Sequence, residues 1–147
     1  MSLAVQQLCN GLIRRSIELR ALYRHAASQV SEPGLRTVLD EEAQSLGLVI
    51  TELQQQIRSH EGIPATRRRM LGAVRHRFDA LVPRSDDAWI RLLARHEQSL
   101  LRSFERVIAR VGTSDPAMKD ELHRQLPRLH SIDLDMHSMA KALGVGH

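Results

Sequence analysis

Three acidic residues sit where a helical pattern calls for apolar ones. Glu42 falls on the line of Leu35, Leu39, Leu46, Val49, Leu53 and Gln56/Ile57. Glu97 falls among Trp89/Ile90, Leu93, Leu100/Leu101, Phe104, Ile108 and Val111, and Asp133 among Leu122, Leu126, Leu129, Met136, Ala140 and Leu143. An unpaired carboxylate is costly to bury, so each requires a hydrogen-bond partner, a counter-charge, a proton or a metal. Iron or another divalent metal needs oxygen and imidazole ligands converging from several helices. If the last two helices form an antiparallel hairpin about residues 112–116, Glu97 lies level with His130 and Asp133. The candidate metal ligands are therefore Glu42, Glu97, His130 and Asp133.

The ligand pattern is fragmentary. His123, His130 and His137 recur every seven residues, and Asp133 precedes His137 by one turn. A di-iron bundle uses Glu-x-x-His elements, yet the residue three after Glu42 is Ser45. The competing reading needs only an arginine such as Arg15 or Arg95 to satisfy each acid. His25, His76 and His96 each neighbour an arginine without a repeated ligand spacing, and read as solvated or interface histidines. No Ser-His-Asp order, glycine-rich phosphate loop or Cys-His nucleophile context is present, so hydrolase and nucleotide-binding chemistry have no support.

Basic charge offers another chemistry. The chain carries nineteen Arg and two Lys, for a net charge of +4. Residues 58–84 hold seven Arg against Glu61 and Asp79, and Arg67, Arg68 and Arg69 are consecutive. Such a patch can neutralise phosphates in a salt-dependent way, but no aromatic stacking platform accompanies it. A solvated helix face is the preferred reading, with weak nucleic-acid association as an alternative.

These side chains must be positioned by helices. With 3% aromatic residues and an abundance of Leu, Ala, Arg, Glu and Gln, the 147-residue chain favours helix over sheet. Val5, Leu8, Leu12, Ser16, Leu19, Tyr23, Ala26 and Val30 recur at steps of three and four, which predicts a helix over 3–30. Pro33 suits a first helical turn, and a second helix is expected over 35–59. Gly47 inside it marks either a close helix approach or a tolerated defect.

Thr66 is a cap for a short amphipathic helix over 67–82, with Met70/Leu71, Val74, Phe78 and Leu81 inward. Its length lets the connection travel along the bundle and reverse the usual up-down order. Ser85 to Asp87 cap a third helix over 86–111, and Asp115 with Pro116 starts a fourth over 116–143. Pro127 predicts a kink in that last helix. The expected architecture is one all-α domain, a four-helix bundle of two antiparallel hairpins joined by a long crossover.

The N-terminus lacks the basic flank of a signal peptide, and no apolar run reaches membrane-spanning length. The lone Cys9 cannot form an internal disulfide. A cytoplasmic, membrane-independent protein is expected.

Several stretches resemble an uncharacterised bacterial ferritin-like family known only as a domain of unknown function. They are Leu12-Ile13 through Tyr23-Arg-His-Ala-Ala27, Glu32-Pro-Gly-Leu35, Glu52-Leu53, Gly72 to Phe78, His96-Glu97-Gln98, and Gln125 through Asp133. Together they cover about residues 8–142. The resemblance implies a ferritin-like bundle with a helical crossover and brings no established activity. Carried over by position, Glu97 keeps the family's acid, Asp133 stands where that family has His, and Arg20 and Ala21 stand at its acidic positions. The expectation is a ferritin-like bundle without a resident cofactor, acting through assembly, most simply a homodimer, or through a protein partner. The alternatives are a carboxylate-bridged metal protein handling iron or peroxide, and a weak nucleic-acid binder.

Overall fold

The structure, a computed structural model, describes residues 1–67 and 83–143. Each helix begins where the sequence supplies acceptors for its free amide groups. Helix α1, Leu3–Gln29, starts behind Ser2, whose hydroxyl accepts from the Val5 N–H at 3.1 Å. Helix α2, Pro33–Ser59, is capped by the Glu32 carboxylate, which accepts from the N–H groups of Gly34 at 2.9 Å and Leu35 at 2.7 Å. That cap lets α2 begin two residues earlier than its periodicity indicates. Helix α3, Asp86–Val111, is capped by Ser85, and helix α4, Pro116–Leu143, by Asp115, which accepts from Met118 N–H at 3.1 Å. The expected helix over 67–82 falls almost wholly outside the described residues.

The helices pair as two hairpins, α1 with α2 and α3 with α4, while α1 also packs on α3 and α2 on α4. Along the α1–α3 seam, His25 meets Trp89 edge-on at 5.6 Å, Tyr23 bonds Glu97, and Arg15 bonds Ser103. Numbers rise on one helix as they fall on the other, so the two run antiparallel. Two anchors fix the ends. Asp86, opening α3, accepts from the N–H groups of Ser31 at 2.9 Å and Glu32 at 3.2 Å in the α1–α2 turn. Near the start of α1, the Asn10 side chain donates to Ile63 O at 2.9 Å and accepts from Ala65 N–H at 2.7 Å. The chain therefore leaves α2 at one end of the bundle and enters α3 at the other.

The core is aliphatic, with Tyr23 and Phe104 as its largest fully buried side chains. In α4 the buried line is Met118, Glu121, Leu122, Gln125, Leu129, Ile132 and Met136, rotated from the one expected, so Asp133 is only half-buried at its edge. Helix α4 continues through Pro127. Gly47 is no close approach: a Cβ added there would meet only the Arg20 guanidinium, at 3.7 Å.

Candidate functional site

Each of the four helices contributes one member to a polar layer inside the bundle: Tyr23 from α1, Glu42 from α2, Glu97 from α3 and Asp133 from α4. Tyr23 and Glu97 are both 0% exposed, and Glu42 is 6% exposed. The Tyr23 hydroxyl donates to Glu97 Oε1 at 2.9 Å. Glu97 also feels the negative charge of Asp133, and Glu42 that of Glu97. Asp135, on the exposed side of α4, lies within hydrogen-bonding range of Glu42.

Two carboxyl oxygens of the layer, Glu42 Oε2 and Glu97 Oε2, are buried without a hydrogen-bond partner, while Asp133 Oδ1 faces the His137 imidazole. The proton affinities follow. Burial pushes the Glu97 carboxyl up to about 8; the Tyr23 bond pulls against it and Asp133 adds to it. Burial likewise pushes Glu42 up to about 8, reinforced by Asp135 and Glu97. The Tyr23 hydroxyl is raised well above the ordinary phenol range, first by burial and then by Glu97, Glu42 and Asp133. With Oε1 of Glu97 accepting from the phenol, Oε2 is the oxygen available to a proton.

Of the four expected ligands, the structure thus places Glu42, Glu97 and Asp133 at one level of the bundle. It does not bring His130 to them. His130 is on the exposed face of α4, because the true buried line of that helix passes through Leu129 and Ile132. His137 is exposed as well; its Nδ1 lies 3.0 Å from both Asp133 Oδ1 and the Asp133 carbonyl. Arg15 and Arg95 do not satisfy the acids: Arg15 bonds Ser103, and Arg95 is exposed. Among the described residues, no three Asp, Glu, His or Cys side chains converge as a metal-binding group.

Sequence reasoning missed two features. Tyr23 reads as an ordinary core residue, though a hydroxyl on a line that faces two acids was available as a signal. The second is a polar cluster between α2 and α4. There buried Gln125 donates to Glu121 Oε1 at 2.9 Å and to Glu52 at 3.4 Å, while Arg124 pairs with Glu121 and Arg128 with Glu52. The Glu121 to Gln125 spacing of one turn was the readable part of it. This cluster is charge-paired and explains itself structurally. Arg67 is exposed, and Arg68 and Arg69 lie outside the described residues.

The domain of unknown function DUF2383 matches residues 4–110, so the chain belongs to that family. No curated protein matches it significantly. Among solved structures, it is similar to the crystal structure of a ferritin-like, diiron-carboxylate protein from Bacillus anthracis strain Ames. The TM-score is 0.64 at 15% identity, covering 98% of this chain and 97% of the other. At that identity the likeness is one of fold, and the architecture is a ferritin-like four-helix bundle.

Proposed function

We propose that this member of the DUF2383 family is a ferritin-like scaffold, acting through assembly or a protein partner, whose central layer holds protons in place of a di-iron centre. The observation that carries this is the side-chain set of the layer. A di-iron bundle of this fold draws on four carboxylates and two imidazoles. Here α1 contributes a phenol that is already bonded to Glu97, and the nearest α4 histidines, His130 and His137, are exposed. The residues present do not fit that centre. An assembled form has apolar side chains to cover in Leu48 on α2 and Leu134 on α4, which are 53% and 66% exposed. A cytoplasmic homodimer is the simplest such assembly.

Elemental analysis of protein purified without chelators, paired with sedimentation, tests this reading. Iron, manganese and zinc are expected well below stoichiometric amounts, with a sedimenting species larger than one chain. About one or two metal ions per chain, lost in Glu97→Gln, would overturn it.

A second reading is favoured by the two orphaned glutamate oxygens and the Asp133 carboxylate beside them. Glu42, Glu97 and Asp133 are hard oxygen donors of the kind that hold iron or manganese. Such an ion would supply redox chemistry toward iron or peroxide, and the residues' own part would be to give up two protons and draw together. That reading predicts saturable Mn²⁺ binding at pH 9 that weakens steeply toward pH 6, because the acids must first ionise. Calorimetry showing no binding at pH 9 dismisses it.

A further inference from the structure

At the α1–α3 seam, away from the acidic layer, two guanidinium groups converge on one hydroxyl. Ser103 is 4% exposed, and its Oγ donates to the Ser99 carbonyl at 3.0 Å. The same oxygen accepts from Arg15 Nη1 on α1 and from Arg106 Nη2 on α3, the latter at 3.2 Å. One donated and two accepted bonds exhaust a serine hydroxyl. Each guanidinium is left with further N–H groups and a full positive charge.

Among the described residues, neither Arg15 nor Arg106 is within ion-pair distance of an acid. Glu18, one turn along α1 from Arg15, acts electrostatically on His96. Exposed Arg102 and Arg110 flank Arg106 on α3 and deepen the positive field. Two like charges sharing one oxygen repel. A tetrahedral oxyanion bridging the two forks turns that repulsion into attraction, since guanidinium geometry matches phosphate oxygens in bidentate fashion.

We infer that Arg15 and Arg106, braced by Ser103, form a binding site for a phosphoryl group. Arg15 is half-buried and oriented by the hydroxyl, while Arg106 is exposed, so the site opens to solvent on one side. An ion or the terminal phosphate of a small ester enters from there. Ser103 acts as a positioning residue; its oxygen has no bond left for the ligand.

The test is thermal unfolding at constant ionic strength, with chloride replaced by inorganic phosphate in one arm and by glycerol 3-phosphate in the other. A saturable rise in Tm is expected with phosphate and absent with added chloride. Arg106→Gln, on the exposed side where folding is least at risk, should weaken the apparent affinity at least tenfold, and Arg15→Gln likewise. Arg36→Gln, remote on α2, should leave it unchanged. Saturation by both compounds means the site reads a phosphoryl group on a larger molecule; saturation by inorganic phosphate alone means it reads the free ion, and both outcomes support the site. No saturable response in the parent protein, or an undiminished one in Arg106→Gln, overturns it.

Discussion

Tyr23 and Glu97 join α1 to α3 through a 2.9 Å hydrogen bond between two side chains that have no contact with solvent. The phenol is the only member of the layer that contributes a donor without having to bind a proton from solution. It stabilises the ionised form of Glu97 while burial opposes that form, and burial prevails. The result is a carboxyl pushed up to about 8 in the middle of the bundle.

Tyr23→Phe removes the donor and leaves Glu97 Oε1 buried without a partner. The expected loss of unfolding free energy is about 1–3 kcal/mol, measured by denaturant unfolding at pH 6. The Glu97 carboxyl should rise further, because the interaction that holds it down is gone.

Stability should fall with rising pH over a defined window. Glu42 and Glu97 both have folded-state values raised from 4.5 to about 8. Their contribution is fully present below about 4.5, is lost progressively as the unfolded chain ionises first, and is gone above about 8. The slope approaches about 1.4 kcal/mol per pH unit for each proton retained. Unfolding free energies at pH 5.5 and 8.5 check the sign, and Glu97→Gln should flatten the dependence by about half.

Asn10 fastens the chain that leaves α2. Asn10→Ala breaks the bonds to Ile63 and Ala65, and about 1–2 kcal/mol of stability should go with them. Hydrogen exchange gives the local readout: the Ala65 amide should lose protection, while the amides of α3 keep theirs.

Gly47→Ala should stabilise. A Cβ at Gly47 meets only a flexible guanidinium at an ordinary contact distance, and alanine is favoured over glycine within a helix by about 1 kcal/mol. A Tm increase of about 2–4 °C is the expected outcome of a thermal scan.

The helices were legible because their signals are local. Ser85 and Asp115 cap α3 and α4 as their types and positions imply, and every residue of the α3 line from Trp89 to Val111 is buried. Level was legible too: a hairpin about residues 112–116 sets Glu97 near Asp133. Facing was not. In α4 a broad apolar surface accommodates two lines one position apart, and only packing against α2 and α3 chooses between Ile132 and Asp133 for the interior. That rotation carried His130 out of the expected site. The pairing of Tyr23 with Glu97 depends on the α1–α3 crossing, which follows from the placement of the second hairpin and has no local signature in either helix.

Side-chain carboxyl NMR on metal-free protein with labelled glutamate tests the proton-held layer most directly. Following the carboxyl shifts through pH, the account predicts two glutamates titrating near pH 8 as a coupled pair, with one resonance absent in Glu97→Gln and the other in Glu42→Gln. If every glutamate instead titrates in the ordinary range around 4.5, the layer is ionised at neutral pH, and a scaffold held by protons is contradicted.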